Sequence, residues 1–220
     1  MELRALAERV LFGTELADKL AGPARGEALT DAVPGLALAE VPTAPGRWAS
    51  LPLRSEESIP TFPALGRLGE PAQAVVALHA FANHELLAAE LIALALLRFP
   101  DADSTCRLEL AHTLRDEQRH LSLYIARIEE LGGRFGEAAA SPFFWDCLAG
   151  VDSLDAFLAG MSLTLEQANL DFAGAYSAAF AAVGDMRTAA VLDRVLADEV
   201  VHVARGVRQL SLRGPDLWQT

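Results

Sequence analysis

Apolar side chains recur at helical intervals over four long stretches of the chain, and the breaks between them fall at proline, glycine and aspartate. The first stretch opens at Pro71, whose fixed φ suits a first turn, and runs to about Phe99 before Pro100; apolar nearly all round, it predicts a buried helix. A second runs from about Ser104 to Leu131 and ends at Gly132-Gly133, where a left-handed residue can close it. A third starts near Asp152 or Ser153, both good N-caps, and reaches about Val183 before Gly184, and a fourth runs from about Met186 to Leu212. Short connections make each successive pair a hairpin. The pattern therefore predicts an all-α antiparallel four-helix bundle over residues 71–212, with 213–220 as a tail.

The first 70 residues read differently. Leu3, Leu6, Val10, Leu11, Leu16 and Leu20 fall at near-helical intervals and predict one amphipathic N-terminal helix over residues 2 to about 20. From Ala21 to Glu70, seven prolines (Pro23, Pro34, Pro42, Pro45, Pro52, Pro60 and Pro63) rule out long helices. Leu36, Leu38, Val41, Trp48, Leu51, Leu53, Ile59 and Phe62 offer apolar anchors, so the segment is expected to be an ordered arm wrapped over the bundle.

Chemistry enters with two Asp-Glu-x-x-His segments, Asp116-Glu117-Gln118-Arg119-His120 and Asp198-Glu199-Val200-Val201-His202. Glu and His three apart on a helix point the same way, so one helix can offer a carboxylate oxygen and an imidazole nitrogen to one metal ion. Each pair is preceded on the previous helix by a glutamate, Glu85 or Glu166. Glu85 to Glu117 is 32 residues and Glu166 to Glu199 is 33, and the halves are offset by 81 residues at the first glutamate and by 82 at both Glu-x-x-His pairs. With 17 glutamates in 220 residues, one such pair is weak evidence; two at matched spacing mark a duplicated helix hairpin. The loop midpoint near residue 101 leaves Glu85 and Glu117 equally distant from it, hence level in the hairpin. Six residues, Glu85, Glu117, His120, Glu166, Glu199 and His202, are thus the candidate metal ligands and catalytic groups. Two solvated helix faces would carry the same residue types, but would not explain the shared spacing.

The duplication also preserves an acid five residues after each first glutamate, at Glu90 and Asp171. Five residues is about 500° of rotation, which leaves these acids about 140° from the ligand face, so they cannot share the ligand role. A part in an outer shell or between helices suits both better, although Glu90 stays open as the alternative to Glu85. Tyr124 lies one turn beyond His120 on the same face. His84 and His112 have no duplicated counterparts and read as weaker candidates for a pocket, and Phe143-Phe144-Trp145 as core covering.

The stretches Phe81-Ala-Asn-His-Glu-Leu-Leu-Ala-Ala-Glu-Leu91, Arg115-Asp-Glu-Gln-Arg-His120, Leu163-Thr-Leu-Glu-Gln-Ala-Asn-Leu-Asp171 and Asp198-Glu-Val-Val-His-Val203 resemble the ferritin-like superfamily. Within it they are similar to a bacterial branch with no settled reaction, itself distantly similar to the tRNA hydroxylase MiaE. The resemblance covers roughly residues 70–212. It implies a ferritin-like bundle and a dinuclear centre, with Asp116 and Asp198 as second-shell groups that hydrogen-bond a ligand histidine. A metal-bound imidazole needs its other N–H held in this way. It also gives Tyr124 a spacing resembling that of the radical tyrosine in ribonucleotide reductase small subunits.

Four carboxylates and two imidazoles without a thiolate suit Fe(II), with Mn(II) as the alternative, and disfavour structural zinc or an iron–sulfur cluster. The expected activity is an oxidase or hydroxylase with two iron ions and O2 as co-substrate, acting on a small, mostly apolar or neutral molecule. A ferroxidase, metal-handling or peroxide-reducing protein would use the same ligands, and a metal-free helical interaction protein would keep only the bundle. Electrons would come from an external donor, because no glycine-rich nucleotide motif follows a strand. A net charge of −12, with Lys19 the single lysine, argues against a nucleic-acid partner. The longest apolar stretch, Leu86 to Leu97, is interrupted by Glu90 and is too short for a membrane span. Two cysteines, Cys106 and Cys147, and no basic leader suggest a reducing cytoplasm, with the chain a monomer or homodimer.

Overall fold

A computed structural model describes residues 1–51, 53 and 59–214. The described residues are helical and loop, with two isolated β-bridges, Glu2 to Thr30 and Leu53 to Ala140. The chain divides into two compact units, Met1–Gly150 and Val151–Thr220, so the duplicated hairpins fall into separate units.

In the first unit, α1 (Leu3–Phe12) and the short α2 (Leu16–Lys19) replace the single N-terminal helix that the leucine spacing suggests. The break falls at Gly13, extended at φ −63 and ψ 144, where the chain turns back so that Arg9 pairs with Asp18 at 2.9 Å. The hairpin itself is α3 (Pro71–Arg98) and α4 (Ser104–Glu130). Pro71 stands at the first position of α3, and Asp103 caps α4 by accepting from the Thr105 and Cys106 N–H groups. Gly132, at φ +85, lets the chain leave α4. A short helix not anticipated from the sequence, α5 (Phe143–Leu148), packs on α3 and buries Trp145 and Leu148. By length and composition α3 could cross a membrane, but 89% of its most apolar window is buried within the protein.

The arm is held both by apolar anchors, with Trp48 set edge-on to Phe135 and Phe62 to Phe81, and by polar ties. Of the eight anchors, Leu51 is fully buried whereas Leu36 is 86% exposed. The ties are specific: the Arg107 guanidinium, itself buried, grips Asp31 in a bidentate pair at 2.8 and 3.0 Å, and Arg4 donates to the Pro34 and Leu36 carbonyls. Leu38 N–H donates to the Leu97 carbonyl, and Trp145 Nε1 donates to that of Thr43. Desolvation offsets much of the Coulomb gain of a buried Arg–Asp pair, whereas removing one partner leaves a buried charge uncompensated.

In the second unit the third predicted helix is not uniform. It runs as α6 (Leu154–Gly160), capped by Ser153, then a single π turn over Met161–Glu166, then α7 (Gln167–Ala182). Gly184, at φ +87, separates it from α8 (Met186–Arg213), which Asp185 caps through the Thr188 N–H. α7 and α8 pack along their length, and the π turn packs on α8 as well. The π turn comes very near α8 at Gly206. A Cβ there would stand 2.5 Å from Ser162 Oγ and nearer still to Ser162 Cβ, so only glycine lets the two backbones meet.

Candidate metal centre

Glu85 reaches its position along α3, while Glu117 and His120 lie one turn apart on α4. Residues 85–98 and 104–117 form equal arms about the connecting loop, and that equality sets the three side chains level. Their donor atoms all lie within 4.8 Å of one another. His120 Nδ1 stands 3.4 Å from Glu85 Oε2 and 3.4 Å from Glu117 Oε2. The three residues are between 0 and 3% exposed.

Such a cluster is electrostatically costly unless a cation or shared protons neutralise it. Burial and the neighbouring Glu117 charge push the Glu85 carboxyl well above the usual carboxylate range. Burial opposes the charged form of His120, but the Glu117 and Glu85 carboxylates 3.4 Å from its Nδ1 outweigh it and raise its pKa to about 11. The triad therefore holds protons where a metal ion would supply positive charge, and binding a metal would displace them.

The second unit builds the matching set. Glu166 ends the π turn, and Glu199 and His202 lie one turn apart on α8. Their donor atoms also lie within 4.8 Å of one another, with His202 Nδ1 3.4 Å from Glu199 Oε2, and the three are 1 to 6% exposed. π turns recur where a ligand side chain must be re-aimed, because one inserted residue rotates the following helix by about 100°. Asn169, one turn beyond Glu166, donates its amide to Glu199 Oε1 at 3.4 Å. The sequence reading missed it; its only signal was a polar residue at helical spacing from Glu166.

Each triad presents two carboxylates and one imidazole nitrogen, a donor set that could hold a metal ion and that suits a hard or borderline divalent cation. The other candidates make contacts of their own. Glu90 is enclosed by Lys19 Nζ at 3.0 Å and by Arg47, whose Nε and Nη2 donate to its two oxygens at 2.8 and 2.6 Å. Both oxygens are therefore committed to cations of the N-terminal segment, which removes Glu90 as the alternative to Glu85. Asp171 is exposed. Asp116 pairs with Arg119 at 2.9 Å and Asp198 with Arg194 at 3.4 Å. Tyr124 is buried and stacks on Phe81 with ring centroids 5.8 Å apart, while His112 is exposed.

A family model described as a protein of unknown function, DUF455, matches residues 9–213, a span that includes all six triad residues. No curated protein and no solved structure matches the chain.

Proposed function

The chain belongs to the DUF455 family, and on that premise we propose that it is a ferritin-like di-iron protein that uses dioxygen to oxidise a small, mostly apolar or neutral molecule. In this reading α3, α4, α7 and α8 form one antiparallel four-helix bundle in which the two triads share a pair of metal ions. The observation that carries it is the repetition of one buried Glu, Glu, His set in both units, each within 4.8 Å and each at the duplicated spacing. Four carboxylates would balance two divalent cations, which explains why so much acid is buried.

Bound iron would supply the one-electron redox steps that let O2 react. The chain's own residues hold and neutralise it. Glu85, Glu117, Glu166 and Glu199 supply the negative charge, His120 and His202 present Nδ1, and the apolar surround of α3 keeps bulk water out. Manganese fits the same donors. Electrons would come from a separate reductase, and neither a nucleic acid nor a membrane surface belongs to this reading, given the charge of −12 and the burial of α3.

The test is anaerobic loading with Fe(II), followed by a measured dose of O2 in an oxygen electrode. The reading expects oxygen uptake in proportion to bound iron, abolished by Glu117→Ala. Iron that stays ferrous in air would overturn it. Uptake that merely deposits ferric iron, beyond two ions per chain, would favour metal storage.

A further inference from the structure

Apart from the triads, the first unit contains a cavity of about 160 Å³ between α3, the arm and the segment that follows α4. Val76, His79, Asn83 and His84 of α3 line it, with Phe62 of the arm and Ser141 opposite. Among the described lining residues there is no acid, lysine or arginine, and burial holds His79 down to about 4. Glu85 is not among the lining residues. It lies about 100° further round α3 than His84, so this cavity and the first triad use different faces of one helix.

The polar groups on the wall are not equally available. His79 Nε2 already accepts the Gly136 N–H at 3.0 Å. The Asn83 amide is engaged at both ends, donating to the Ser141 carbonyl at 3.0 Å and accepting from Arg47 Nη1 at 3.4 Å. Ser141 Oγ accepts from the Phe143 N–H at 3.2 Å and keeps its own proton to donate. His84 is different. Its ring stacks on Phe144, with centroids 4.6 Å apart and planes inclined at 17°, and it makes no hydrogen bond among the described residues. A neutral imidazole has one donor and one acceptor, so a half-buried His84 leaves polar capacity pointing at a mostly apolar space.

We propose that this cavity is a binding site for a small uncharged molecule built on one aromatic ring with a single hydroxyl, a phenol, whose hydroxyl bonds His84 while its ring packs against Phe62 and the α3 wall. Size supports this, since a cavity of about 150 Å³ accommodates a benzene ring. The described wall residues offer no charged group to pair with a carboxylate or an ammonium, which favours a neutral ligand, because an ion there would lose its hydration without a counter-charge. The site stands independently of the metal centre.

The test uses the full chain prepared with chelator and titrates phenol, benzene and benzoate, read by calorimetry and by amide chemical shifts. Phenol should bind saturably, benzene roughly threefold to tenfold more weakly for want of one hydrogen bond, and benzoate not at all. His84→Phe should keep benzene binding and erase the preference for phenol. Ala139→Leu, which fills the cavity from the opposite wall, should block both. Benzoate binding as well as phenol, an unchanged preference in His84→Phe, or no saturable phenol binding by a folded protein would each overturn the proposal. Because no metal is needed, its failure would leave the di-iron reading standing, and the reverse holds too.

Discussion

Gly206→Ala tests whether the π turn is held against α8 by direct backbone approach. In an ordinary helix interior this change stabilises by about 1 kcal/mol, because alanine restricts the unfolded chain and favours the helix. Here the new methyl would stand 2.5 Å from Ser162 Oγ and closer still to Ser162 Cβ, an atom too near the backbone to swing away. Ordinary carbon–carbon contact is about 3.5–4.0 Å, so the turn must move by roughly 1 Å or more. Overpacking of this kind costs about 1–3 kcal/mol, more than the helix gain. A net loss of up to about 2 kcal/mol is expected, at about 2–4 °C of melting temperature per kcal/mol in a chain of this size. The control is Ser162→Gly combined with Gly206→Ala. With the Ser162 side chain gone, the next atom is Ser162 Cα at 3.7 Å, a normal contact. The double variant should therefore be more stable than the sum of the two single changes by about 1–3 kcal/mol, measured by urea denaturation as a double-mutant cycle. Additive effects, or a Gly206→Ala protein more stable than the parent, would refute the reasoning.

Other expectations follow from the polar interior of the first unit. Glu90→Gln leaves the Lys19 ammonium and Arg47 guanidinium buried without their counter-charge, and should cost about 3–5 kcal/mol in chemical denaturation. A loss under 1 kcal/mol would show that the cluster is solvated. His79, held down to about 4 by burial, binds fewer protons folded than unfolded between there and its ordinary 6.5. Its contribution is thus complete above pH 6.5 and is lost as pH falls towards 4, on the order of 3 kcal/mol, since its protonation also breaks the bond from Gly136 N–H. His79→Gln, which can still accept that bond, should flatten the stability profile over this window; an unchanged slope would contradict the assignment.

Much of this could be read from the chain because it rests on local chemistry. Pro71, Pro100 and the glycines at 132 and 184 mark helix ends through backbone geometry, and the helix bounds fall within a residue or two of them. The assembly of Glu85 with Glu117 and His120, and of Glu166 with Glu199 and His202, follows from hairpin arms of matched length. What escaped the reading depends on contacts between distant segments. Helical rotation removes Glu90 from the ligand face, but nothing in periodicity points to Lys19 and Arg47 as its partners. The π turn is equally silent, since one wide turn leaves an apolar pattern that still fits a helix; Gly206 hints at it only once Ser162 is known to lie opposite. Leucines at positions 16 and 20 keep the helical spacing across the break at Gly13, so periodicity alone predicts one continuous N-terminal helix.

The most direct test of the central claim is a count of metal per chain after anaerobic equilibration with Fe(II), by elemental analysis of the native protein and of Glu85→Ala and Glu166→Ala. Two ions per chain in the native protein, with a loss in each variant, is the expected result. No retained metal, or two ions still bound after either substitution, would contradict it.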